Sequence, residues 1–182
     1  TGNIIVNNTL NNLSQRGIWV EKQNTIRVDS NSVTQTVSKH PSPQGISVKT
    51  TDTLQISYNN IVIKGTANAQ GMFIRECQAS AGSPGEIFNN MIVSSDVSTG
   101  TCFGLNFQQN SNFNIYHNSV YVRSGNGTKA AMFMNYNANQ IMTGITVKNN
   151  IFSATTGYAL AIDPKFNSSN VLDFDNKIKF IV

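Results

Sequence analysis

Ile145-Thr146-Val147-Lys148-Asn149-Asn150-Ile151-Phe152 is the stretch on which the reading of this chain turns. Apolar residues alternate, an Asn follows three positions after the second of them, and an apolar residue returns two positions later. The core of that pattern, apolar-x-x-Asn-x-apolar, recurs five more times: at Ile5/Asn8/Leu10, Val28/Asn31/Val33, Ile56/Asn59/Ile61, Ile87/Asn90/Ile92 and Ile115/Asn118/Val120. The Asn residues Asn8, Asn31, Asn59, Asn90, Asn118 and Asn150 are spaced by 23, 28, 31, 28 and 32 residues. That is the period of a solenoid array.

A second signature accompanies each Asn, a Gly or Ala leading an alternating apolar pair. It reads Gly17-Ile18-Trp19-Val20, Gly45-Ile46-Ser47-Val48, Gly71-Met72-Phe73-Ile74, Gly104-Leu105-Asn106-Phe107, Ala131-Met132-Phe133-Met134 and Ala159-Leu160-Ala161-Ile162. Period two is the period of a strand. A third apolar pair lies between the two signatures, clearest in Ile61-Val62-Ile63 and Val120-Tyr121-Val122. Tight Asn-Gly or Asp-Gly loops do not separate the runs, so hairpins between sequence neighbours are excluded. Each strand must pair with its copy one repeat away, parallel and in register, at roughly 4.8 Å. The chain is therefore expected to be all-β, a parallel solenoid of about six to seven rungs with three short strands per rung, in one unit over residues 1–182.

This pattern resembles the right-handed parallel β-helix proteins, the pectin-lyase-like superfamily of extracellular polysaccharide-acting and adhesive proteins, over nearly the whole chain. The resemblance implies a right-handed single-stranded β-helix, in keeping with the handedness of parallel crossovers, and a frequent association with carbohydrate. Families of this kind are common in secreted bacterial proteins.

Charged residues make up 12% of the 182 residues, and the net charge is +4. No run of Lys or Arg and no RNA-binding aromatic motif is present, which argues against a nucleic-acid partner. No apolar stretch approaches the roughly 20 residues of a membrane span. Asn, Ser and Thr take the place of charge, as suits a secreted repeat protein whose side chains bond turn backbone. The chain begins and stops within strand-like sequence, at Thr1-Gly2-Asn3-Ile4 and Lys179-Phe180-Ile181-Val182. Solenoid ends need polar caps, so an interior fragment is expected, flanked by further rungs or other domains. Cys77 lies five residues after Met72 and Cys102 three before Leu105; since Met72 and Leu105 should stack, the thiols are too far apart for a disulfide, and both are expected free and buried.

Three loops should leave the rungs: one around Ser38-Lys39-His40-Pro41-Ser42-Pro43, a small flexible one over Gln78–Gly85, and one over Arg123–Lys129. Asn167–Val182 reads as a seventh, imperfect rung.

Among candidate sites, the recurrent Asn reads as a structural ladder: each is expected to take the bent turn conformation itself and to bond turn backbone or the next Asn. The outward column of the Gly-led strand is Trp19, Ser47, Phe73, Asn106, Phe133, Ala161. Its aromatic residues Trp19, Phe73 and Phe133 suit the apolar faces of sugar rings, or alternatively lie under a loop or a neighbouring domain. The next outward column is Glu21, Lys49, Arg75, Gln108, Asn135, Asp163. Lys49 and Arg75, with Glu76 alongside, are the candidates for holding a uronate carboxylate or for lyase catalysis, against the alternative of a solvated charge column. The outward column of the Asn-led strand reads Ile4, Arg27, Gln55, Glu86, Asn114, Thr146, too poor in carboxylates for a lyase-type calcium site. Paired carboxylates for glycoside hydrolysis are missing, His40 and His117 read as exposed polar residues, and no cofactor or metal is expected. The function expected is a secreted or cell-surface module giving a rigid binding or adhesive surface for a polysaccharide or other glycan. The alternatives are a polysaccharide lyase or glycosidase, and a spacer.

Overall fold

The computed structural model describes residues 2–37, 40–96, 100–123, 128–135, 142–163, 172–174 and 179–181. The first three turns consist of β1 (Asn3–Val6), β2 (Thr9–Asn11), β3 (Arg16–Glu21), β4 (Thr25–Asp29), β5 (Ser32–Gln35), β6 (Gln44–Lys49), β7 (Thr53–Ser57), β8 (Asn60–Gly65) and β9 (Ala69–Arg75). They are followed by β10 (Gly85–Phe88), β11 (Met91–Asp96), β12 (Cys102–Gln108), β13 (Phe113–Tyr116), β14 (Ser119–Arg123) and β15 (Lys129–Asn135). The last are β16 (Ile145–Lys148), β17 (Ile151–Ala154), β18 (Tyr158–Ile162), β19 (Leu172–Phe174) and β20 (Lys179–Ile181). No helix occurs among the described residues.

Every third strand is a hydrogen-bonded neighbour. The first sheet is β1-β4-β7-β10-β13-β16-β19, the second β2-β5-β8-β11-β14-β17-β20, and the third β3-β6-β9-β12-β15-β18, all paired in parallel. This is the parallel solenoid with three strands per turn that the repeat predicts. The coil completes about five turns, fewer than the six to seven rungs expected. Counting repeats overstates it, because the six strands of the third sheet are separated by only five steps, and among the described residues the last level consists of β19 and β20 alone. Of the seventh rung expected over Asn167–Val182, only those two strands fall within the described residues.

Inward positions from all three sheets fill one continuous core. Val28, Ile56, Ile87, Ile115 and Val147 stack from the first sheet, Val33, Ile61, Ile92, Val120 and Phe152 from the second, and Ile46, Met72, Leu105 and Met132 from the third, all buried. Burial of such a side chain contributes about 1.5–3 kcal/mol. The stacked column therefore supplies most of what holds each rung to the next. Two polar side chains, Gln35 and Ser94, interrupt the second sheet's inner face, and Gln35 Nε2 and Ser94 Oγ lack a hydrogen-bond partner.

At the corner between the first and second sheets, the Asn ladder is continuous. Asn59 shows the pattern. Its backbone N and Nδ2 reach Asn90 Oδ1 at 3.0 and 2.9 Å, and Nδ2 also lies 3.0 Å from Val28 O and 2.8 Å from Ser57 O. Equivalent bonds join Asn8 to Asn31, Asn31 to Asn59, Asn90 to Asn118 and Asn118 to Asn150. One part of the expectation is corrected. The ladder Asn does not carry the left-handed backbone; the residue before it does, with φ between 53 and 56° at Asn7, Ser30, Tyr58, Asn89, His117 and Asn149. The chain reverses there, which leaves the following Asn free to point its amide down the column.

The corner after the third sheet repeats this design without its Asn. Lys22, Thr50, Glu76 and Gln109 take positive φ, and the residue after each sends a side chain back. Gln23 Nε2 donates to Glu21 O at 3.2 Å, Thr51 Oγ1 to Lys49 O at 3.4 Å and Cys77 Sγ to Arg75 O at 3.4 Å. Asn110 restores the full form, accepting from Cys77 N at 2.8 Å through Oδ1 and donating to Ile74 O at 2.9 Å through Nδ2. Thr50 is the costliest member, since a β-branched side chain rarely adopts this conformation.

Two loop expectations change. Ser38 and Lys39 lie outside the described residues, but His40–Pro43 does not simply protrude: Pro41 O accepts from Ala67 N at 3.2 Å and Asn68 N at 2.6 Å. Gln78–Gly85 is anchored rather than loose. Gln78 bridges Ser111, Asn112 Nδ2 donates to Ala79 O at 2.7 Å, and Gly85 N donates to Asn112 O at 2.9 Å. Of the Arg123–Lys129 loop, residues 124–127 lie outside the described residues.

Candidate functional site

Strands of the third sheet turn every second side chain away from the core, and parallel in-register pairing aligns these into columns. Trp19 pairs with Ser47, Ser47 with Phe73, Phe73 with Asn106, Asn106 with Phe133 and Phe133 with Ala161. Trp19 is 58% exposed, Phe73 and Phe133 are half-buried, and the small residues between them, Ser47 and Asn106, are only 4% and 2% exposed. The rings stand proud and the polar groups lie in the recesses.

Each end of this line is braced. The Arg16 guanidinium sits 4.5 Å from the Trp19 ring centroid, a cation–π contact from three residues earlier on the same strand. Phe103, in a flanking column, stacks on Phe133 with centroids 4.6 Å apart and planes 11° from parallel. Between them amides form a chain: Asn106 Nδ2 donates to Gln70 Oε1 at 3.3 Å, and Gln108 Nε2 to Asn106 Oδ1 at 3.1 Å. The face thus offers apolar plates separated by amide groups held in fixed orientation.

Glu21, Lys49, Arg75, Gln108 and Asn135 also stack as the sequence predicts. Lys49 and Arg75 are neighbours with side chains 40% and 39% exposed, but each already has a carboxylate. Lys49 Nζ lies 3.6 Å from Glu21 Oε1 and 3.8 Å from Glu76 Oε2, while Arg75 NH2 lies 2.8 Å from Glu76 Oε1. Glu76 reaches both because it occupies the left-handed corner position directly after β9. The four charges form a balanced patch, and at this exposure they contribute little to stability.

The first sheet's outward column is Ile4, Arg27, Gln55, Glu86, Asn114, Thr146, as read from the sequence. Asp29, one column over, is held by Arg27 NH2 at 2.6 Å and by Ser57 Oγ at 2.9 Å. Among the described residues no three His, Cys, Asp or Glu side chains are grouped to hold a metal ion. His117 is exposed at a left-handed corner. His40 is not exposed but half-buried, with Nδ1 accepting from Ser42 N at 3.1 Å.

A second aromatic group escaped the sequence reading. Phe88 and Tyr116 stack with centroids 5.0 Å apart and planes 1° from parallel, with Tyr58 edge-on to Phe88 and His117 edge-on to Tyr116. Burial, followed by the nearby Glu86 charge, raises the Tyr116 phenol above its ordinary pKa. The signal was present two residues before each ladder Asn, where the column ends in Phe88, Tyr116 and Lys148.

Cys77 and Cys102 form no disulfide and are fully buried. Burial pushes the Cys77 thiol up to about 12, offset only partly by hydrogen bonds to backbone. Two results are expected. Neither thiol reacts with an aromatic disulfide reagent at pH 8 until denaturant is added. Because the folded pKa exceeds the roughly 8.5 of an unfolded thiol, Cys77 makes wild-type stability fall with rising pH from about 9 towards 12, a slope that Cys77→Ala removes. Prompt labelling of the native protein would contradict this placement.

Comparison of the chain with protein families, with curated proteins and with solved structures finds no match in any of the three.

Proposed function

We propose that this chain is a secreted or cell-surface module of the right-handed, pectin-lyase-like kind, whose third-sheet face binds carbohydrate. The observation that carries the proposal is the straight line of Trp19, Phe73 and Phe133 on one rigid face, with polar groups between the rings. Aromatic rings cover the C–H faces of sugars while side-chain amides meet their hydroxyls. A rigid sheet loses little conformational entropy on binding, because the rings are already positioned. Binding is favoured over catalysis here, since Lys49 and Arg75 are each neutralised by Glu21 or Glu76.

Trp19 is the single tryptophan of the chain, so its emission reports directly on this face. Screening on a glycan array, followed by titration of the hits, is expected to shift Trp19 fluorescence. Trp19→Ala is expected to weaken binding several-fold without altering the thermal unfolding midpoint. An array without a single hit sinks the carbohydrate reading and leaves that of a spacer.

A further inference from the structure

The aromatic line has a period of its own. Trp19 to Phe73 is two levels, through Ser47, and Phe73 to Phe133 is two levels, through Asn106. At the spacing of paired strands, two levels are roughly 10 Å. We infer that the face takes a neutral, extended β-1,4-linked glycan lying along the solenoid axis, with its first, third and fifth sugars over Trp19, Phe73 and Phe133. This rests on the carbohydrate-binding reading above and specifies its ligand class.

Two features select that class. In a two-fold β-1,4 ribbon each sugar is turned over relative to the last, so every second ring presents the same face, and the disaccharide repeat closely matches two levels. An α-1,4 chain coils away from a straight row after one or two contacts. Charge decides the rest. A polyuronate would carry one carboxylate per sugar past Glu21 and Glu76, while the nearby cations Lys49 and Arg75 are already paired to those two acids. The half-buried amides of Gln70 and Gln108, held by the buried Asn106 between them, line the same track, suited to hydroxyls rather than to ions.

Calorimetric titration of the protein with cello- and manno-oligosaccharides of two to six units, with maltohexaose and with hexagalacturonate, tests the assignment. Affinity for one of the β-1,4 series is expected to rise about two- to tenfold as each further ring is engaged, at three and at five units, and to level off at six. Trp19→Ala should move the plateau from five units to three, and Phe73→Ala should remove the gain at three units while leaving one at five. Both variants are checked against the wild-type unfolding midpoint; Trp19, being exposed, keeps the test open if the Phe73 variant fails to fold. Equal or tighter binding of maltohexaose or hexagalacturonate, or affinity flat from two to six units, overturns the ligand assignment and leaves the glycan-binding face standing. Failure of every sugar here and on the array sinks both.

Discussion

Asn118→Ala is expected to lower the unfolding free energy by about 3 kcal/mol. Asn118 is fully buried within the stack, between Asn90 and Asn150. Its Oδ1 accepts from Asn90 N at 3.1 Å and Asn90 Nδ2 at 2.9 Å, and its Nδ2 lies 2.9 Å from Ile87 O and 3.0 Å from Asn150 Oδ1. Alanine supplies none of these groups, so donors and acceptors of three levels lose partners in a site water does not reach. Asn118→Asp keeps the acceptor but sets a carboxylate against carbonyl oxygens. Its folded pKa is thereby raised above the unfolded value of about 4, so its penalty is absent at low pH and grows as pH rises. Chemical denaturation at pH 3 and pH 7 measures both. An Asn118→Ala midpoint equal to wild type would falsify the ladder as a source of stability.

Gly71→Ala is the second large effect, about 2 kcal/mol of destabilisation from overpacking. A Cβ at Gly71 would lie 2.2 Å from Ile92 Cγ2 and 2.7 Å from Gly104 O. The first contact belongs to the core of the next level and the second to its backbone, so neither yields freely. Gly17, Gly45 and Gly104 meet the same two kinds of neighbour, with the next level's carbonyl at 2.5, 2.5 and 2.6 Å. Ala131 follows in the same column, so the restriction lies in the local pairing with Val33, Ile61, Ile92 or Val120. Gly71→Ala with Ile92→Ala should therefore cost less than the two changes summed. Additive losses in urea titrations would show that the clash is relieved some other way.

Periodicity made the register legible. Aligning Ile5, Val28, Ile56, Ile87, Ile115 and Val147 fixes the columns of the first sheet, and aligning the Gly-led signature fixes those of the third, where the columns of Trp19 and of Glu21 are found. The left-handed corners were not legible, because stacking imposes that conformation on Ser30, Tyr58 and Thr50, residues with little preference for it. For the same reason the second corner was hidden: Gln23, Thr51, Cys77 and Asn110 share a role but no chemistry beyond a polar side-chain donor. Glu76 was seen beside Arg75, yet its reach to Lys49 depends on the corner that turns it back over the column. The Phe88–Tyr116 stack was missed because the pattern of apolar inward residues says nothing of aromatic ones facing out.

The Asn ladder also gives the solenoid a direction. Along the Asn–Asn bonds, each side-chain carbonyl accepts from the Asn of the level before and each side-chain amide nitrogen donates to the Asn of the level after, in the single order Asn8, Asn31, Asn59, Asn90, Asn118, Asn150. Backbone dipoles in a sheet largely cancel, but these side-chain dipoles all align, as peptide units do along a helix. Their negative ends point towards the first level. The column is thus a one-way rail: a further level fits either end only when its own amide faces the same way, since a reversed one would set carbonyl against carbonyl. Polarity, as much as shape, decides how anything can continue this stack.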